Sequence, residues 1–200
     1  MDGRFSIPGR RTLTATLDSA GGDGVVVACP PHPEHGGNRH DSRLRAVSDA
    51  LAEANVDCLR FDYGSWDDGR GEQQDVQQAM AWARERYGRV SLFGFSFGAS
   101  MALLASVPQN DHPTPDALSV LAPPAQVSDD ESLVDALSAI ECPTQVVYGE
   151  RDDTAVWEPV VERARELGYR TDSLPADHFF VGQRSKAAEI VVSFLLDNHQ

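Results

Sequence analysis

From residue 24 onward, short apolar runs alternate with stretches whose apolar residues recur at helical spacing. Val25-Val26-Val27-Ala28 is a continuous β-favouring run, the pattern of a strand buried on both faces. Pro30-Pro31 ends it, because proline has no N–H with which to continue a ladder. Leu44, Val47, Leu51 and Ala54 then mark one face of a helix, with Asp41 or Ser42 placed to cap it. Residues 56–61 form the next predicted strand. Val76, Ala79, Met80, Ala83 and Tyr87 give the next helical face, with Gly88 as its expected stop. Further strands are predicted over 90–95, 117–121, 144–148 and 170–174. A helix over 98–107 is small and apolar throughout, as a buried helix would be, and a short one is expected around 133–140. Val160, Val161, Ala164 and Leu167 face inward on a helix closed by Gly168, and Ile190, Val191, Phe194 and Leu195 line the last.

Repeated strand-helix alternation predicts an α/β fold, a mostly parallel sheet with helices on both faces. The opening stretch differs. Phe5-Ser6-Ile7 and residues 13–17, around Pro8-Gly9, read as an antiparallel hairpin on the sheet's edge. No internal repeat, low-complexity segment or linker interrupts the pattern, so one domain spanning 1–200 is expected.

Composition adds the surroundings. The chain has 200 residues, 41% of them hydrophobic, enough for one sizeable core. No apolar run approaches the roughly 18 residues of a membrane span. Met1-Asp2-Gly3-Arg4-Phe5 lacks the basic-then-apolar order of a secretory signal, so a cytoplasmic protein is expected. Lys+Arg number 17 against 31 Asp+Glu, a net charge of -14, and Lys186 is the only lysine. The acidic residues are spread along the chain rather than gathered in a tail, so the whole surface repels itself in dilute salt. A cytosol near 1 M salt screens such repulsion over about 3 Å, and with arginine carrying nearly all the positive charge a halophilic host is predicted. Nucleic acid and anionic membranes are not expected partners of this surface. Cys29, Cys58 and Cys142 lie in or beside apolar runs, at neither disulfide-framework nor zinc spacing. Reduced, structural thiols and no metal site are expected.

The candidate chemistry begins at Gly94-Phe95-Ser96-Phe97-Gly98. The motif follows Val90-Ser91-Leu92-Phe93 directly and opens the small-residue helix. A nucleophilic serine needs such a strand-to-helix turn: the backbone is strained, flanking glycines leave room for strand and helix, and the helix N-terminus favours a developing oxyanion. On such a scaffold the acid and then the histidine follow the serine, each on a loop after a strand. Residues 144–148 run into Gly149-Glu150-Arg151-Asp152-Asp153, where either aspartate is within reach of the acid's role. Neighbours on an extended chain point opposite ways, so one of the two should face the histidine.

Six histidines compete for the base. His32, His35 and His40 precede the serine, His112 precedes the acid, and His199 sits at the chain's end. His178 alone follows the last strand and precedes the last helix. Two N–H donors are needed for an oxyanion hole. One falls to Phe97, after the serine, and the other to the loop after residues 25–28. Pro30, Pro31 and Pro33 have no N–H, which leaves His32 between them as the donor.

At these positions the chain resembles the α/β-hydrolase superfamily, and more narrowly the small capless microbial hydrolases grouped near dienelactone hydrolases. The likeness spans nearly the whole chain. It rests on Pro31-His32-Pro33 with Gly36-Gly37, Leu59-Arg60-Phe61, Gly71-Glu72 with Asp75, and Gly94-Phe95-Ser96-Phe97-Gly98-Ala99. It continues through Ala122-Pro123-Pro124, Tyr148-Gly149-Glu150-Arg151-Asp152 and Ala176-Asp177-His178-Phe179-Phe180. In such proteins the aspartate three places after the glycine is the usual triad acid. The resemblance therefore implies Asp152, with Asp153 as a solvated surface acid. Two departures stand out. Residues 62–69 are a shortened substitute for the family's Arg-Gly-rich loop, and the first histidine of its His-Pro-His-Pro is replaced here by Pro30-Pro31-His32-Pro33.

The expected activity is acyl transfer to water on small soluble carboxylic esters, with Ser96, His178 and Asp152 as the triad and no cofactor. The interval 122–142, where larger relatives carry a lid, leaves little or no cap and an open site for a small-molecule acyl substrate. Trp66 and Phe180 are candidate substrate-facing aromatics, with loop packing the competing reading for each. A thioesterase, peptidase, lactone hydrolase or catalytically idle binding relative would share these features. A dehalogenase would need an aspartate in place of Ser96. Oligomeric state is not legible.

Overall fold

The computed structural model describes residues 3–109, 112–128 and 131–198. His199 lies outside them. The chain opens with β1 (Gly3–Ile7) and β2 (Leu13–Asp18), then β3 (Gly24–Cys29), a single 3-10 turn over Pro33–His35 and α1 (Ser42–Glu53). It continues through β4 (Asp57–Asp62), α2 (Arg70–Arg84), β5 (Arg89–Phe95), α3 (Phe97–Ser106) and β6 (Leu118–Leu121). A ribbon of β7 (Gln126–Ser128) and β8 (Glu131–Ser132) leads to α4 (Leu133–Leu137), β9 (Thr144–Gly149), α5 (Glu158–Glu166), β10 (Arg170–Leu174) and α6 (Arg184–Asp197).

The main sheet runs β1-β2-β4-β3-β5-β6-β9-β10. From β4 to β10 all neighbours are parallel, and only β1 with β2 and β2 with β4 are antiparallel. The hairpin therefore occupies one edge, as its sequence predicts. Side-chain alternation divides the core in two. Val25, Val27 and Leu92 pack beneath α2, α3, α4 and α5, whereas Val26, Ala28 and Phe93 pack beneath α1 and α6. β3, β5 and α3 are buried almost completely, which is why, apart from Arg89 at the exposed start of β5 and a few small serines, their sequences are apolar. Each fully buried side chain of Val, Leu or Phe size contributes roughly 1.5 to 3 kcal/mol.

The helix ends follow their chemistry. Asp41 caps α1, its Oδ1 accepting from the Arg43 N–H at 2.8 Å. Gly168, at φ +75°, follows α5 in the left-handed conformation expected of a helix stop. Gly88 does not play that part: α2 closes at Arg84 with Glu85 as its cap, and Gly88 falls in the turn before β5. The ribbon of β7 and β8 carries no periodic signal long enough to read, and α4 stops at Leu137, short of the expected 140. Because six strands are parallel, the loops after β3, β4, β5, β6, β9 and β10 all emerge at one end of the sheet.

Candidate active site

Ser96 stands between β5 and α3 with φ 55° and ψ -121°. A non-glycine residue held there costs of order 1–3 kcal/mol, so its surroundings must enforce it. They do so through the backbone. The Ser96 N–H donates to the Leu121 carbonyl at 2.9 Å, and the Ser96 carbonyl accepts from Ala99 N–H at 2.8 Å. Neither flanking glycine has room for a side chain. A Cβ on Gly98 would lie 2.2 Å from the Cys29 carbonyl oxygen, and one on Gly94 2.2 Å from that of Gly98. The turn thus brings the start of α3 against the end of β3.

The Ser96 Oγ lies 2.9 Å from His178 Nε2, and His178 Nδ1 lies 2.7 Å from Asp152 Oδ2. A carboxylate only accepts, so the Nδ1 proton points to Asp152 and Nε2 is left to accept from the serine hydroxyl. The Asp152 side chain is 0% exposed, and its other oxygen accepts from the N–H groups of Thr154 at 2.9 Å and Ala155 at 3.0 Å. Both carboxylate oxygens are therefore satisfied and the charge is fixed in place. Asp153 is exposed and makes none of these contacts. Asp152 and His178 come from the loops after the neighbouring strands β9 and β10. Gly149 permits their approach, since a Cβ there would lie 2.5 Å from the Ala176 carbonyl oxygen.

His32 forms the opposite wall. Its Nδ1 accepts from the Glu34 N–H at 3.3 Å, and its carbonyl accepts from the N–H groups of His35 and Gly37. The N–H of His32 and that of Phe97, the first residue of α3, have no hydrogen-bond partner among the described residues. The His32 ring contacts Trp66 at 4.4 Å, His35 at 4.5 Å and Phe97 at 4.8 Å. Burial, and then the neighbouring His35, lower its pKa below the ordinary imidazole value.

Trp66 is carried by a loop pinned from below. Glu72, fully buried, accepts from the N–H groups of Asp67 at 3.1 Å and Gly69 at 2.9 Å. Asp75 accepts from the Gly64 N–H at 2.9 Å, and Arg11 donates to the Ser65 carbonyl while facing both acids. Burial pushes the Asp75 carboxyl up to about 6, against the pull of Gly64 and Arg11. The shortened loop therefore keeps a definite shape.

A cavity of about 330 Å³ joins Ser96, His178, His32 and His35 with Asp41, Arg43, Phe179 and Thr154. The Arg43 guanidinium lies 4.4 Å from the Phe95 ring centre and 2.5 Å from Asp41. Burial lowers its pKa. Neither Asp41, beyond its capping role, nor Arg43 is singled out by any sequence pattern; only the crossing of α1 near the β5 end brings them here. Of the two readings open for Trp66 and Phe180, packing rather than facing the cavity is the one the structure has for both. Phe180 is 0% exposed, at φ 52°, and packs into the core beneath α1 and α6. That left-handed turn sends its ring inward and leaves Phe179, 49% exposed and edge-on to His178 at 5.2 Å, on the cavity. Trp66 does not line the cavity; it backs His32 and Phe97. Cys29, beside the Ser96 turn, is fully buried, and burial alone drives its thiol pKa far up, so it is not a rival nucleophile. His112 lines a separate surface pocket beside α2.

No protein-family model and no curated protein matches the chain. Solved structures do. An α/β serine hydrolase homologue from Coxiella burnetii superposes with a TM-score of 0.80 at 24% identity, over 96% of this chain and 97% of that one. A lid-less α/β serine hydrolase from Xanthomonas campestris gives 0.80 at 23% identity, over 98% and 94%. Dienelactone hydrolase from Anabaena variabilis gives 0.79 at 19% identity, over 98% and 97%. With a strained serine turn after the fifth strand and little or no cap between β6 and β9, the chain has the α/β-hydrolase fold.

Proposed function

We propose that the protein is a serine hydrolase that cleaves small soluble carboxylic esters through an acyl-enzyme. One observation carries the reading: the unbroken sequence of contacts from Asp152 through His178 to Ser96, at 2.7 and 2.9 Å, on a strained turn facing a cavity. The fold's neighbours named as serine hydrolases support it.

In this mechanism Ser96 Oγ attacks the ester carbonyl while His178 Nε2 takes its proton. Asp152 keeps the other ring nitrogen protonated and stabilises the imidazolium. The N–H groups of Phe97 and His32 receive the oxyanion, each worth roughly 2.7 to 4 kcal/mol. His178 returns the proton to the leaving alkoxide. Water then adds to the acyl-enzyme with His178 as base and frees the acid. These steps need no cofactor.

Labelling with a fluorophosphonate in molar KCl, read by intact mass, tests the reading. A single adduct on wild type and none on Ser96→Ala is expected, together with hydrolysis of p-nitrophenyl acetate. Folded wild type that takes no label overturns it in favour of a catalytically idle relative.

A further inference from the structure

Thr154 is common to two cavities. On one side it lines the cavity of Ser96 and His178; it also lines a larger one, of about 510 Å³, that holds neither residue. Six of the larger cavity's lining residues are apolar: Pro124, Ala125, Val134, Ala155, Val156 and Pro159. They come from the segment after β6, the start of α4, the loop that carries Asp152 and, for Pro159, the first turn of α5.

The groove's backbone is turned upon itself. The Ala125 N–H donates to the Val156 carbonyl at 2.7 Å, and the Leu133 N–H donates to the Ala125 carbonyl at 3.1 Å. Trp157 Nε1 donates to the Asp152 carbonyl at 3.1 Å. These bonds occupy polar groups that would otherwise suit a polar guest, and they tie the groove to the acid's loop. The surface gives a second, separate sign. Among the described residues the large exposed hydrophobics are Val156, Phe179 and Val181. Val156 lines the groove and Phe179 the Ser96 cavity. On a chain of net charge -14, Val156 and Phe179, left in water on two cavities that share Thr154, mark a place that something apolar covers.

We infer that the groove receives the hydrocarbon arm of the ester, an unbranched aliphatic chain running past Thr154 from the carbonyl held at Ser96. The inference rests on the hydrolase reading and names its substrate class: esters with a medium-length apolar chain rather than acetates. Burying each methylene is worth about 0.8 kcal/mol, so kcat/KM rises about fourfold per added carbon until the groove is filled.

Two ester series test this. One varies the acyl part from acetate through butyrate, hexanoate and octanoate to laurate; the other varies the alcohol of a butyrate from methyl to octyl. The rise appears in the series whose chain enters the groove, and so tells an acyl arm from an alcohol arm. Val134→Trp fills the groove. Val156→Asp, at a position 66% exposed and therefore safe for folding, sets a charge on its wall. Either substitution lowers the ratio of octanoate to acetate kcat/KM, or of octyl to methyl, at least tenfold. Wild type that labels with fluorophosphonate and hydrolyses acetate but is flat in both series overturns the groove alone. So does a chain-length rise that both variants retain. Absence of label removes the hydrolase reading, and the groove assignment with it.

Discussion

The indole of Trp66 lies 4.4 Å from the imidazole of His32, ring centre to ring centre, and acids that never reach the cavity hold it there. Glu72 and Asp75 fix the loop backbone on both sides of Trp66, so the loop's shape is passed to the residue proposed to donate to the oxyanion. Trp66→Ala is expected to lower kcat about tenfold or more while KM moves little, because displacing a preorganised donor costs transition-state rather than ground-state binding. Trp66→Phe restores most of the rate. An equal loss in KM alone would instead make Trp66 a substrate contact.

Asp152→Asn is expected to reduce kcat by about 10³ to 10⁴, since an amide no longer enforces the tautomer in which Nε2 accepts from Ser96. The rate of fluorophosphonate labelling falls in parallel. Asp153→Asn, at an exposed position, changes either rate less than about twofold, within the range of ordinary surface substitutions. Reversal of the two results would move the acid's role to Asp153.

Asp75 gives the protein a pH dependence of a particular sign. Its carboxyl titrates at about 6 in the fold against an ordinary 3.8, so the folded state binds this proton more tightly than the unfolded one. The resulting stability is fully present below about pH 4 and is lost as pH rises through 6. Asp18 and Asp57 move the other way. Burial works to raise both, but Arg60 and Ser48 around Asp18, and Tyr87 with the Ala20 and Gly21 N–H groups around Asp57, hold them below the ordinary value. Their contribution is lost in acid. A difference between wild type and Asp75→Asn isolates Asp75. Between pH 7.5 and pH 4.5, urea titrations should shift that difference toward wild type by about 2 kcal/mol.

The net charge of -14 leads to a salt prediction. Raising KCl from about 0.1 M to about 2 M shrinks the Debye length from about 10 Å to below about 3 Å and should raise Tm. A Tm that falls with added KCl rejects adaptation to a salt-filled cytosol.

The parallel frame was legible because strands buried on both faces must be apolar without interruption, as Val25-Val26-Val27-Ala28 is. Ser96 was legible because its turn needs glycines at 94 and 98, where the structure shows carbonyl oxygens in the space of a Cβ. Asp152 emerged from Asp153 only through a resemblance in spacing. The remainder depends on backbone detail that composition does not carry. Phe179 and Phe180 are the same residue type, and one positive φ decides which of them faces the cavity. Arg43 and Asp41 reach the site through the packing of a helix whose polar face looks like any other. The ribbon strands, 126–128 and 131–132, are too short for a period to show.

Gly149 lets the loops of two adjacent strands touch, so the spacing of Asp152 and His178 is inherited from the pairing of β9 with β10. Part of the proposed groove's lining, Pro124, Ala125 and Val134, belongs to a different stretch, the connection between β6 and β9. Only that part is separate from the strands that carry Asp152 and His178, since Thr154, Ala155 and Val156 share a loop with Asp152. A longer connection inserted between Ala125 and Leu133 could enlarge or roof the guest site without re-registering the strands that set the chemistry. In this architecture the β6–β9 connection can change length while the pairing of β9 with β10 keeps Asp152 and His178 in register.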